Sequence, residues 1–149
     1  MRLVVQRVRR AAVRIDDEVT EEIGPGLAVL VGVRATDTAV EARWLADKVA
    51  NLRIFDDAAG KLNRSVREVG GAILSVPQFT LYAEATRGRR PSFIEAATGA
   101  HAGAIYETFN EALRTQGLMV GTGRFGAVML VEIHNDGPVT IILERESPA

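Results

Sequence analysis

Apolar positions alternate with Arg and Gln from Leu3 to Ile15, and this two-residue period predicts a strand pair or one bent strand. Asp16-Asp17-Glu18 reads as a turn and Gly24-Pro25-Gly26 as a second break, after which Leu27 to Val33 is an unbroken apolar run. Such a run fits a central strand covered on both faces. The period then changes. Thr38 with Glu41 three residues later makes a capping box, with Asp37 as an alternative cap. Val40, Trp44, Val49 and Leu52 recur near 3.6, which predicts an amphipathic helix over 38–52. Arg53-Ile54-Phe55 reads as a short strand, and 56–60 as a turn. Ala72 to Tyr82 is apolar and extended except at Pro77, whose missing N–H excludes regular pairing there. A polar loop over 84–91 leads to a second helix from about Thr98 to Gln116, with Ala102, Ile105, Phe109, Ala112 and Leu113 on one face. Gly117 suits its C-terminal cap. Ala127 to His134 alternates again, 135–138 reads as a turn, and Val139 to Leu143 as a last strand.

Strands that are not strictly interleaved with helices exclude a doubly wound parallel sheet. Two packed sheets with the two long helices on one side would bury every apolar stripe, which makes the fold class α/β. The 149 residues, 47% hydrophobic and 25% charged, suit one compact domain spanning 1–149.

Charge and chemistry narrow the function. A net charge of −1 argues against coating nucleic acid by bulk charge but leaves room for a local basic patch. The absence of Cys removes disulfides, thiolate zinc sites, iron–sulfur clusters and cysteine nucleophiles together. His101 and His134 alone cannot build a histidine-rich metal site, so neither metal nor cofactor is expected. No apolar run approaches the roughly 20 residues of a membrane-spanning helix, and a cytoplasmic location is the default. Gly121-Thr-Gly123 lacks the Lys-Ser/Thr of a phosphate loop. The carboxylate pairs Asp16-Asp17, Glu21-Glu22 and Asp56-Asp57 lie in turn-like segments, where solvation explains them more cheaply than acid–base work. Arg87, Arg89 and Arg90 are either a solvated loop in an Arg-rich chain or a phosphate clamp, since guanidinium binds phosphate oxygens in a fork.

Two segments resist a purely structural explanation. Pro77-Gln78-Phe79-Thr80-Leu81 breaks an apolar strand and then places an amide and a hydroxyl on one face, where an unsatisfied polar group costs about 1–3 kcal/mol. Asn135-Asp136-Gly137-Pro138-Val139-Thr140 adds Pro after a Gly that would by itself complete a hairpin turn. A rigid turn projecting carbonyl oxygens could act as a stereochemical probe.

Together these segments carry a resemblance. With Val5-Gln-Arg-Val8, Ile23-Gly-Pro-Gly26, Asn51-Leu-Arg-Ile-Phe55, Val69-Gly-Gly71, Gly88-Arg-Arg-Pro-Ser92 and Thr122-Gly-Arg-Phe-Gly126, the chain resembles the D-aminoacyl-tRNA deacylases over essentially its full length. The resemblance implies a homodimer of three-layer α/β/β architecture that hydrolyses the ester joining a D-amino acid, or glycine, to tRNA and so recycles free tRNA. It implies a cis Gly137–Pro138 bond whose turn enters the partner subunit's pocket and rejects L-amino acids. By the same resemblance Gln78, Phe79 and Thr80 form the opposite wall, with backbone N–H groups around the ester carbonyl. Arg7 and Asn135 belong to the turn, and Met129 to a strand lining the adenosine site. Pro77, where this chain departs from the family, is expected at the substrate wall, and the Arg87–Arg90 loop, the densest basic run, is expected to bind substrate phosphates on its charge alone.

Thr80 has been regarded in that family as a nucleophile, but no base stands near it in sequence, and an unactivated hydroxyl is a poor nucleophile. Water assisted by the ribose 2′-hydroxyl fits better, with the protein supplying placement. The family pattern has Ser where this chain has Pro77, whereas Phe79 and the intact Asn-x-Gly-Pro-Val-Thr stay with the D-specific branch. tRNA is thus the expected partner, with no membrane and no DNA. The alternatives are an editing deacylase of relaxed stereospecificity and a non-catalytic dimeric nucleic-acid-binding module.

Overall fold

The computed structural model describes residues 1–147. Eight strands and two helices follow in the order β1 (Arg2–Ile15), β2 (Glu18–Ile23), β3 (Gly26–Gly32), α1 (Ala39–Asn51), β4 (Phe55–Asp56), β5 (Leu62–Arg64), β6 (Ala72–Pro77), α2 (Gly99–Arg114), β7 (Val120–Thr122) and β8 (Leu130–Glu144), with a short 3-10 turn at Phe79–Tyr82 between β6 and α2. The strands form one mixed six-stranded hydrogen-bonded sheet and a separate β4–β5 ribbon, in keeping with the expected α/β class. The sheet is joined through β1, a single 14-residue strand long enough to serve several neighbours. Its first half pairs with β3 and its second half with β2, both antiparallel, so β2 and β3 together form one partner that bends at Gly24–Pro25. Along its other edge β1 pairs with β8 over nearly its whole length. β3, β6 and β7 run parallel.

The apolar run of β3 is buried on both faces, as its sequence predicts. Leu27, Val29 and Val31 join a core with Ile73 of β6 and side chains from both helices, among them Leu45, Val49, Ile105 and Phe109. Ala28, with Leu74 and Val76 of β6, faces a second core made by Val8, Ala11, Val13 and Ile23, against which Met129, Val131 and Ile133 pack. Neither helix contributes to that second core.

The Thr38–Glu41 capping box forms as expected and starts α1. Its buried face differs from the expected one: Ala42, Leu45, Ala46, Val49 and Ala50 are buried, while Val40 and Trp44 are exposed. Small alanines suit its close packing against α2, and Trp44 instead packs against the Arg145 guanidinium, 4.7 Å from the ring centre. The chain after Pro77 also departs from expectation. It turns into 3-10 conformation rather than staying extended, because Gln78 N–H returns to the Val31 carbonyl and Leu81 N–H then closes on the Gln78 carbonyl. The expected turn at 135–138 lies inside the continuous strand β8.

Candidate active site

Pairing between β1 and β8 creates the most unusual feature of the backbone. Gln6 pairs with Thr140 and Val8 with Asn135, so residues 136–139 of β8 stand opposite Arg7 alone. The surplus residues leave the sheet as a turn containing a cis Gly137–Pro138 bond. Arg7, buried within β1, holds this turn from below: Nε donates to the Asp136 carbonyl at 3.2 Å and Nη1 to the Ile54 carbonyl at 3.0 Å. The Asp56 and Asp136 carboxylates lie 3.6 Å from the same guanidinium. Asn135 ties the turn across its base, accepting from Val139 N–H at 3.2 Å and donating to Thr140 Oγ1 at 2.9 Å. Gly137 has φ +121°, a backbone conformation that favours glycine, and a Cβ there would also meet the Arg7 guanidinium at 2.9 Å. Gly137 and Pro138 themselves are exposed.

A second concavity, a groove of about 530 Å³, lies at the end of β6. Pro77, Gln78 and Phe79 form one wall, 97–99 line another part, and Phe125 to Met129 close it. The groove is built by close approach: Gly123 N–H donates to the Ser75 carbonyl at 2.8 Å, and a Cβ on Gly123 would sit 2.9 Å from Met129 Sδ and 3.1 Å from Pro77 Cδ. Phe79 is half exposed at the rim and meets Phe93 edge to face, with ring centres 5.1 Å apart. Thr80 Oγ1 accepts from Gln78 Nε2. Among the described residues the backbone amides of Phe79 and Thr80 have no backbone acceptor, which leaves two neighbouring donors, one of them on a residue that lines the groove. Such a pair suits an oxygen that gains negative charge.

The structure therefore gathers the expected site residues into two groups. Arg7, Asn135, Gly137 and Pro138 belong to the turn, and Pro77, Gln78, Phe79 and Met129 to the groove, with Thr80 beside it. Within one chain the groups line different concavities. Arg87, Arg89 and Arg90 line neither and stand in an exposed loop closed by Glu84–Ser92 backbone pairing at 2.7 and 2.8 Å. Glu84 also accepts from the Thr86 hydroxyl and amide, which pulls its carboxyl below the usual range. Among the described residues no carboxylate pairs with the three arginines. No three His, Cys, Asp or Glu side chains among the described residues stand close enough to hold a metal ion. Sequence reasoning missed the 97–99 and 125–128 parts of the groove. Thr122-Gly-Arg-Phe-Gly126 was the available signal, since Gly123 permits the approach to Pro77.

A family profile described as D-Tyr-tRNA(Tyr) deacylase matches residues 4–144. The chain is 55% identical over 149 residues to a D-aminoacyl-tRNA deacylase of Geobacillus sp. (strain WCH70), covering 100% of this chain and 98% of that one. It is 56% identical over 144 residues to a D-aminoacyl-tRNA deacylase of Deinococcus radiodurans, covering 97% and 99%. A solved structure described as a c-Myc DNA unwinding element binding protein superposes with a TM-score of 0.91 at 43% identity, covering all of both chains. A probable eukaryotic D-amino acid tRNA deacylase shares the fold, with a TM-score of 0.84 at 18% identity over 95% of this chain and 97% of that one.

Proposed function

Since the chain belongs to the D-Tyr-tRNA(Tyr) deacylase family and is a hydrolase of the D-aminoacyl-tRNA ester bond, we propose that it performs this reaction as a homodimer whose sites are completed across the interface. The observation that carries the reading is the separation just described. The Gly137–Pro138 turn projects, exposed and firmly anchored, from a chain whose groove lies elsewhere. A projecting turn needs a pocket to act on, and a twofold axis supplies the partner's groove. The single deacylase domain then reads as three layers: the helices, the β3–β6–β7 sheet, and the far halves of β1 and β8 with β2.

In this reading the aminoacyl ester lies in the groove, with its carbonyl oxygen toward the Phe79 and Thr80 amides. Met129 borders the terminal adenosine, and Pro77 and Gln78 shape the wall. The partner's turn presents carbonyl oxygens to the α-carbon, which leaves room for hydrogen on one side only. D-amino acids and glycine fit, and L side chains clash. Water assisted by the ribose 2′-hydroxyl attacks the ester carbonyl, the tetrahedral oxyanion is held by the amides, and the ester C–O bond breaks to release amino acid and free tRNA. No side-chain base is needed when placement and oxyanion stabilisation each supply several kcal/mol. The Arg87–Arg90 loop grips phosphates of the tRNA. Aminoacyl-tRNA as substrate supports a cytoplasmic location.

Incubating the purified protein with D-tyrosyl-tRNA and following release of free tyrosine tests the reaction, and sedimentation tests the dimer. A fully active monomer overturns the shared site. A second reading, a DNA-binding module, is favoured by the relative described as binding a DNA unwinding element. Unpaired DNA that binds without competing for D-tyrosyl-tRNA turnover would support it as a separate property.

A further inference from the structure

We infer that Tyr106 is a positioning residue for the deacylation: through the Ser75 carbonyl it sets the place of the Pro77–Phe79 wall of the groove. The inference rests on the reading of that groove as the ester site. Tyr106 is buried on α2, and its hydroxyl donates to the Ser75 carbonyl at 2.7 Å, with the whole contact out of solvent. The same carbonyl accepts Gly123 N–H at 2.8 Å. One oxygen therefore joins three elements: the end of β6, helix α2, and the 122–126 segment that closes the groove.

The position of this junction gives it consequence. Pairing between β6 and β7 ends at Ser75–Thr122, and Pro77 has no N–H to continue it. The next backbone anchor, Gln78 N–H to the Val31 carbonyl, lies on the opposite edge of the strand. On the β7 side the Ser75 carbonyl is thus the last tie before the chain becomes the wall that carries the Phe79 and Thr80 amides. Tyr106 also reaches the facing wall, because its ring lies 6.4 Å from that of Phe125, which lines the groove. Beneath the groove it borders a small void with Pro77, Gln78 and Phe79. Packing alone does not call for the hydroxyl: Phe109 is fully buried on the same helix without one. Burial also raises the Tyr106 pKa, so the group remains a proton donor at neutral pH.

Transition-state placement is sensitive to such a tie, since a misplacement of about 1 Å can cost on the order of 100-fold in rate. Tyr106→Phe keeps the ring and removes only the hydroxyl, with its bond to Ser75 and its contact with Asn110. The test compares wild type, Tyr106→Phe and Leu113→Val in steady-state deacylation of D- and L-tyrosyl-tRNA, well below each thermal midpoint. Leu113 is buried on the same helix away from the groove and controls for loss of stability. Expected for Tyr106→Phe is a fall of about tenfold in kcat with KM within about twofold, because tRNA is gripped elsewhere. The D-to-L rate ratio narrows as the wall facing the turn loosens, while Leu113→Val keeps wild-type kcat and ratio. A Tyr106→Phe protein with wild-type kcat and ratio but a lowered midpoint overturns the inference, as does an equal kcat loss in Leu113→Val. A wild-type protein that leaves D-tyrosyl-tRNA intact overturns the ester-site reading and this inference with it, and the wild-type rate alone identifies that case.

Discussion

Thr80 shows how a suggestive side chain can be separated from the chemistry around it. Its hydroxyl accepts a bond from Gln78 Nε2, and its amide, like that of Phe79, has no backbone acceptor among the described residues. The backbone contribution survives loss of the side chain. Thr80→Ala is therefore expected to lower kcat by less than about tenfold, whereas a residue transferring a proton in the transition state contributes about 100-fold or more. Single-turnover hydrolysis of D-tyrosyl-tRNA measures the difference. Arg7 illustrates the opposite case. Its position opposite the surplus residues of β8 emerges from strand register, which local sequence does not display.

At the scale of elements, the start of α1 gives a pH signature. Burial pushes the Glu41 carboxyl up, but bonds from the Thr38 hydroxyl and amide outweigh it and hold the folded pKa below its ordinary value. A depressed carboxylate stabilises fully above its unfolded pKa of about 4.3, and that contribution is lost as pH falls through the folded value. Glu41→Gln should therefore flatten the acid limb of a stability–pH curve below about pH 4.3. Thr38→Ala should cost about 1 kcal/mol in denaturant titrations at neutral pH.

The capping box was legible because its spacing is local. The buried face of α1 was not, since large side chains at 40 and 44 outweighed the alanines that make the actual contact. Pro77 announced a break, but the 3-10 turn beyond it depends on a carbonyl from β3. The Asn135–Thr140 segment was legible as a special turn. Its place within an unbroken strand was not, because that follows from pairing with a distant β1.

For the whole molecule, charge and burial set two further expectations. The loop arginines Arg87, Arg89 and Arg90 have no acidic partner among the described residues. If all three meet phosphates, their joint replacement by Ala makes the slope of log affinity against log salt shallower by about two to three. KM then rises far more than kcat falls, and an unchanged slope removes the clamp. Both tyrosines, Tyr82 and Tyr106, have pKa values raised first of all by burial. The stability this gives is fully present below the unfolded pKa of about 10 and is lost as pH rises through the folded values. Thermal midpoints should therefore fall above about pH 10, and Phe at either position should flatten that limb.

On the proposed reading, the Gly137–Pro138 turn reads the chirality of the amino acid esterified to tRNA. Gly137→Val puts a side chain where φ is +121° and where Arg7 Nη2 would be 2.9 Å from its Cβ, so it displaces the turn while leaving the groove residues in place. Matched deacylation rates for D- and L-tyrosyl-tRNA, measured on wild type and this variant, test the claim directly. Wild type is expected to clear the D ester and leave the L ester intact, and the variant to hydrolyse the L ester at a rate approaching that of the D ester. A wild type that hydrolyses both equally, or a folded variant that retains full discrimination, contradicts the reading.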